Sequence, residues 1–254
     1  MQYCLALDLP KWLEDWLNDI ASQFILNFVK DDRYMYIVKG LGMTLWVTLF
    51  AVILGIALGV VCALIRSTHD KCITDMKGGP AKVILSMFNS VVKLYLTVIR
   101  GTPVVVQLMI AYFVIFATSK NKVLVAILAF GINSGAYVAE IIRSGIMSID
   151  NGQFEAGRSL GFNYVQTMAY IVVPQAFKNV LPALANEFIV LLKETSVSGY
   201  IGLEDMTKGG DIIRSRTYSA FMPLLAVALI YLVIVIFFSK LVSILERRLR
   251  NSER

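Results

Sequence analysis

The sequence predicts an all-α polytopic membrane protein. Composition is the first reason: the chain is 57% apolar and 17% charged, with a mean hydropathy of +0.68. A soluble domain carries about a quarter charged residues. The second reason is that several apolar runs reach the roughly 20 residues that cross a hydrocarbon core. The third is a short polar, helix-forming stretch, Glu155-Ala156-Gly157-Arg158-Ser159-Leu160-Gly161, set between such runs. A water-facing helix between two membrane spans predicts a docked soluble partner. The net charge of +6 does not indicate nucleic acid, because the basic residues flank apolar runs rather than forming one patch.

Residues 1–39 read as an extracytoplasmic or interfacial segment with an amphipathic helix. Trp12, Leu13, Trp16, Leu17, Ile20, Phe24 and Phe28 share one face; Glu14, Asp15, Asn18, Asp19 and Ser22 take the other. Two roles fit: a helix lying on the membrane surface, or structural cover packed outside the bundle, the latter being favoured. Lys11, Glu14, Asp15 and Asp19 interrupt it too early for a secretory signal.

The main body, residues 40–245, divides into five expected spans. The first, 40–65, carries small residues four apart: Ala51, Gly55, Gly59 and Ala63. Such a stripe allows close helix approach, which matters where lipid removes the hydrophobic drive. A polar loop follows over 66–82, ended by Gly78-Gly79-Pro80, and its His69 reads as a solvated side chain. The second span, 82–118, is too long for one crossing and breaks at Arg100-Gly101-Thr102-Pro103. Its later half, Val104 to Thr118, is the expected crossing, and the earlier half is interfacial or partly inserted. The third, 123–147, repeats the small-residue spacing at Gly131, Gly135 and Ala139. It has a polar lower half of Asn133, Ser134, Tyr137, Glu140 and Arg143, with Glu140 and Arg143 placed to pair. The polar helix is expected over about 152–161, capped by Asp150 and stopped by Gly161. The fourth span, 163–193, contains Pro174 and Pro182, and Glu187 and Glu194 on one face. Intramembrane carboxylates normally face a cavity or a partner. A glycine-punctuated connection, 199–217, with a short helix at Leu203 to Lys208, leads to the last span, 219–245. The tail, 246–254, carries Glu246 but is net basic through Arg247, Arg248, Arg250 and Arg254, which places it in the cytoplasm. Five spans then put the N-terminus outside and both loop 66–82 and the polar helix inside. Cys4, Cys62 and Cys72 form no metal or disulfide pattern, and Cys62 reads as a small buried hydrophobe.

The spacing Glu155-Ala156, then Gly161, then Ile171 and Pro174 resembles the EAA loop of ABC importer permeases. Gly157 replaces the second alanine and Val173 the leucine of that pattern; Gly157 is expected to loosen the helix by about 1 kcal/mol. Four further segments are similar to the polar amino-acid uptake branch: Arg100-Gly101-Thr102-Pro103 with Gln107, Ala136-Tyr137-Val138-Ala139-Glu140, Pro174-Gln175-Ala176, and Asn186-Glu187-Phe188 through Leu192-Lys193-Glu194-Thr195-Ser196. Glu194 stands where that branch has aspartate. The resemblance implies five transmembrane helices of the type I ABC importer permease kind, with a cytoplasmic coupling helix. It implies a bacterial inner-membrane location and a polar or charged amino acid as cargo. The implied partners are two cytoplasmic ABC ATPase subunits, a second identical or homologous permease subunit and an extracytoplasmic amino-acid-binding protein. ATP and Mg would sit on the ATPase, with no cofactor on this chain.

The resemblance also implies site residues. Glu187, Glu194, Asn186, Gln107, Thr102 and Tyr137 are substrate-contact candidates. Glu155, Ala156, Gly157, Arg158 and Gly161 are ATPase-coupling candidates. Arg100, Glu140 and Arg143 are structural ion-pair candidates, and Glu187 has the alternative of pairing with a cation such as Arg100. No phosphate-binding loop, metal cluster or nucleophile with a base is visible, so the chain does not read as an enzyme. Two other classes compete: an ion-coupled secondary transporter or channel using Glu187 and Glu140, and a membrane scaffold that docks a partner at 153–161. The absence of an inverted repeat and the EAA spacing count against the first.

Overall fold

The computed structural model describes residues 10–73, 76 and 78–251. Residues 1–9 with Cys4, then Thr74, Asp75 and Lys77, and 252–254 with Arg254, lie outside the described residues. Every regular element among the described residues is helical. Among the described residues, four helices are long and apolar enough to cross a membrane: Tyr34–Cys72, Pro80–Arg100, Lys122–Met147 and Phe221–Leu249.

The first helix, α1 (Lys11–Phe24), is amphipathic but buries none of its residues, and Trp12 and Trp16 are 70% and 56% exposed. The expected structural cover therefore does not come from α1. It comes from the π-helical turn after it, Ile25–Val29, which buries Asn27 and Phe28. The Asn27 amide oxygen accepts from Thr217 Oγ1 at 2.7 Å. Phe28 packs with Ile37, Met206, Ile213 and Val227.

Helix α2 (Tyr34–Cys72) spans 39 residues, about 58 Å of helix. It overruns the expected span, 40–65, at both ends. The loop expected from residue 66 is helical through Cys72, because no glycine or proline interrupts the chain before Gly78. His69 thus sits on a helix with its side chain 18% exposed, not in a solvated loop.

Helix α3 (Pro80–Arg100) and α4 (Val104–Ile110) flank the break at 100–103, and a π-helical turn (Ala111–Ile115) extends α4. Val104–Ile115 is about 18 Å long, short of the roughly 30 Å of hydrocarbon, and α3 has the length to cross. Val92 and Leu96 of α3 pack with Cys62, Ala136 and Ala139, and Leu108 of α4 continues to Val47, Ala51 and Val125. Helix α5 (Lys122–Met147) follows, N-capped by Asn121.

Helices α2 and α5 interlock through their small residues. A Cβ on Gly55 would sit 2.9 Å from the Ser134 Cβ, and one on Gly131 would sit 2.6 Å from Leu54 Cδ2. A Cβ on Gly59 would collide with the Val138 side chain. Ala51 and Ala63 are fully buried on the same stripe. Below this contact Cys62 packs with Val92, Leu96, Ala136 and Ala139.

The polar helix α6 (Asn151–Ser159) is capped by Asp150, whose carboxylate accepts the Gly152 amide at 2.6 Å. It ends with Gly161 at φ 79°, while the Phe162 and Gly161 amides reach back to the Gly157 and Arg158 carbonyls. Phe154 anchors it to Ile146, Ile149, Met168, Val172 and Ala176. Next comes α7 (Tyr164–Thr167), started by a reciprocal Asn163–Gln166 capping box. A π-helical turn (Met168–Val172) leads into α8 (Val173–Glu194). The wide turn accommodates Pro174, which lacks an N–H and would crowd a regular preceding turn. Gln175, Lys178, Asn179, Asn186 and Glu187 dilute the hydropathy of α8, so it is not among the four apolar helices.

A 3₁₀ segment (Thr195–Ile201) and α9 (Met206–Thr217) occupy the connection; the helix there is longer and later than expected from sequence. Two glycines let α9 dock on the start of α2: Cβ atoms on Gly40 and Gly209 would meet the backbones of Asp205 and Tyr36. Last is α10 (Phe221–Asn251), joined to α8 by the Phe188–Phe238 ring contact at 5.0 Å.

Two predictions follow from packing. Gly157 is buried because α7 leaves no room: a Cβ would lie 2.7 Å from both Thr167 Oγ1 and Cγ2. Alanine would gain about 1 kcal/mol of helix propensity but lose about 1–3 kcal/mol to overpacking. Gly157→Ala should therefore lower the melting temperature in detergent. Thr167→Ala added to it should recover most of the loss, since the Thr167 hydroxyl has no hydrogen-bond partner to forfeit.

Asp205 is 1% exposed and caps α9 by accepting the Thr207 and Lys208 amides, each at 3.1 Å. Burial raises its carboxyl from 3.8 to about 6, against the opposing pull of those amides. The folded state thus favours the neutral acid. The stabilisation from this group is complete below pH 3.8 and is lost as pH rises through about 6. Between pH 4.5 and 7 the wild-type melting temperature should fall more than that of Asp205→Asn; equal slopes would refute this.

Candidate functional site

A cavity of about 440 Å³ opens between the end of α3, the lower half of α5 and the middle of α8. Small-molecule sites commonly span roughly 300–1,000 Å³. Arg100, Tyr137, Glu140, Ser144, Ser148, Asn179, Ala183 and Glu187 line it. The close approach of α5 and α8 at Gly145, where a Cβ would collide with Val180, closes its floor.

The α3 break positions Arg100. Because the helix ends there, the guanidinium projects from a terminus, 3.9 Å from Glu140 Oε2 and 5.7 Å from the Tyr137 ring centre. Glu140 belongs to a larger cluster. It lies 3.3 Å from Arg143 and 3.6 Å from Arg66, and Arg143 also reaches Asp70 at 3.0 Å. The expected Glu140–Arg143 pair is therefore one edge of a network of three arginines and two carboxylates.

Glu187 is 7% exposed, and Ser134 Oγ donates to its Oε1 at 2.9 Å. Among the described residues it forms no ion pair, and Arg100 turns to Glu140 instead. The alternative Glu187–Arg100 pairing is thus not what the structure contains. A buried carboxylate with a single neutral donor retains unused acceptor capacity facing the cavity.

Gln107 and Thr102 do not line this cavity. The Gln107 amide donates to the Ile99 carbonyl at 2.7 Å, to the Thr102 carbonyl at 3.0 Å and to Thr102 Oγ1 at 2.7 Å. Its oxygen accepts from Asn133 at 2.9 Å. They clamp the α3–α4 break and tie it to α5. Asn186 is exposed on another face of α8, and Glu194 lies at the helix end, away from the lining.

The coupling candidates divide by face. Phe154 and Gly157 are buried, while Glu155, Ala156, Arg158 and Gly161 are exposed. A larger recess, about 610 Å³, lies between this helix and the end of α2, lined by Lys71, Phe154, Glu155, Arg158, Tyr164 and Thr167. Arg66 and Asp70 read from the sequence as charges of a polar loop, not as part of this region. The missing signal was the unbroken run from Arg66 to Cys72, which carries the helix and its charges to the cluster.

Residues 81–251 match the family model described as binding-protein-dependent transport system inner membrane component. The chain is 34% identical over 220 residues to the putative glutamine transport system permease protein GlnP of Rickettsia typhi, covering 85% of this chain and 94% of that protein. It is 35% identical over 221 residues to the arginine transport system permease protein ArtQ of Bacillus subtilis, covering 86% and 94%. A crystal structure of an amino acid ABC transporter with histidines shares 42% identity at a TM-score of 0.75, over 87% of this chain and 98% of that one. An inward-facing MetNI methionine ABC transporter shares the fold at a TM-score of 0.72 and 17% identity, over 87% and 99%. The match over two thirds of the chain, helical fold included, makes this protein a member of the binding-protein-dependent transport system inner membrane component family, a multi-pass membrane transport subunit rather than an enzyme.

Proposed function

We propose that this chain is the permease of an ATP-driven importer and moves a polar or charged amino acid through the α3–α5–α8 cavity. The observation that carries the reading is the charge arrangement there: a buried carboxylate, Glu187, without an ion pair, opposite a half-exposed guanidinium, Arg100. Glu187 accepts the cargo's ammonium or a cationic side chain. Arg100, held weakly by Glu140, meets its carboxylate. The relatives' glutamine and arginine permease names support an amino acid as the cargo class. Tyr137, 36% exposed beside Arg100, gives the site an apolar wall.

The assembly we propose has two permease subunits, identical or homologous, two ATPase subunits that seat the exposed face of α6, and a binding protein that delivers cargo from outside. Five crossings put the N-terminus outside and the basic tail of α10 in the cytoplasm, with α8 as the fourth crossing, covered by a partner where it is polar. ATP and Mg belong to the ATPase. The ion-coupled alternative loses its support with the family match, whose members work with a binding protein.

The test is the reconstituted complex with its ATPase and binding protein, scanned for amino acids that stimulate ATP hydrolysis. A charge-assisted hydrogen bond is worth about 1.5–3 kcal/mol, or about 10- to 100-fold in affinity. Glu187→Gln should raise the half-stimulating concentration by that factor; an unchanged value removes Glu187 from the site. Charge reversal at both Glu155 and Arg158 should cut ATPase co-purification about tenfold, a loss of about 1.4 kcal/mol. Undiminished co-purification would mean the ATPase seats elsewhere.

A further inference from the structure

The overrun of α2 adds a connection between two places that α5 and α8 already join. At its last turn, Lys71 Nζ donates to Asn151 Oδ1 at 2.7 Å and lies 4.5 Å from the Phe154 ring centre, so α2 grips the start and the anchor of α6. One residue earlier, Asp70 holds Arg143 at 3.0 Å. Arg143 holds Glu140 at 3.3 Å, and Glu140 in turn holds Arg100 at the cavity wall.

This cluster is not fully satisfied in the observed arrangement. Its side chains are part-exposed. Three of its buried nitrogens, Arg66 Nε, Arg143 Nε and His69 Nδ1, have no hydrogen-bond partner in this arrangement. Its charges also stand at graded distances. Asp70 has Arg143 at 3.0 Å; Glu140 has Arg143, Arg66 and Arg100 at 3.3, 3.6 and 3.9 Å. A sub-ångström shift of the last turns of α2, beyond the interlocked small residues, would exchange partners without separating any charge from the cluster. Packed interfaces with two near-equivalent arrangements convert small shifts into switches.

We infer that Asp70 and Arg143 are positioning residues that carry displacement of α6, through Lys71 and the end of α2, to the Glu140–Arg100 pair at the cavity. The inference rests on the proposed cavity and on α6 as the ATPase seat, but not on which solute is carried. When α2 moves, Arg143 changes its hold on Glu140, and Glu140 changes its hold on Arg100.

The test uses the full complex with its ATPase, carrying a single cysteine at Ala183 on the cavity wall and serine at Cys4, Cys62 and Cys72. The maleimide labelling rate is read without nucleotide and after trapping with ATP and vanadate. Trapping should change the rate at least threefold. Asp70→Asn and Arg143→Gln should each abolish most of that response, the double variant should lose no more than either single, and Asp70→Glu should retain it. A response that persists in both single variants, losses that add, or damage by Asp70→Glu equal to Asp70→Asn would overturn the inference. So would a parent protein whose labelling ignores nucleotide, or loss of ATPase co-purification in Asp70→Asn, which would make Asp70 a docking residue. Failure of the amino-acid reading appears separately, as ATP hydrolysis that no amino acid stimulates.

Discussion

The close approach of α2 and α5 is the constraint on which the rest depends. Inside lipid, two apolar helices gain nothing from mutual burial that lipid tails do not already supply, so packing detail must hold them. Gly55, Gly59, Gly131 and Gly135 bring the backbones together, and that spacing fixes the register. The register has chemical consequences at both ends. It presses Ser134 against Gly55, which aims its hydroxyl at Glu187. It also brings Asp70 level with Arg143, so the charge cluster forms two turns beyond the last small residue. A side chain in place of Gly59 would disturb the carboxylate in the cavity without touching it.

Arg100 sits where a helix breaks, and Asp70 and Arg143 sit near helix ends, which spares them from bare lipid. Arg100 is the last residue of α3, and its cost is shared with Glu140 and the Tyr137 face. Glu187 is deeper, and among the described residues its side-chain hydrogen bond comes from Ser134. In the proposed function the site combines one partner that is already shared, Arg100, with one left open to cargo, Glu187, and that asymmetry suits a carrier, which must bind cargo and then release it.

Much of this was legible in the sequence. The small-residue stripes, the break at Arg100 to Pro103, the caps of α6 and the polar lower half of α5 rest on local rules, and local rules survive folding. What was not legible depended on neighbours. Hydropathy marked the end of the first span at Ile65, but helix propensity continued to Cys72, and the charges there were satisfied by α5 rather than by water. Gln107 reads from sequence as a polar group inside a span, and only the turned-back chain shows its amide consumed by Ile99, Thr102 and Asn133. Gly157 reads as a weak alanine until Thr167 is placed against it.

The π-helical turn at Met168–Val172 sets the phase of everything after it. One additional residue per hydrogen-bonded loop, relative to a regular helix, turns the downstream faces by about 100° about the axis. The face of α8 that now presents Asn179, Ala183 and Glu187 to the cavity would otherwise point a quarter-turn away. Pro174, by favouring the wide turn, therefore acts as an angular index for a carboxylate more than three turns distant. The proline of the coupling motif and the acid of the cavity are set by one rotation, and neither position can drift without retuning the other.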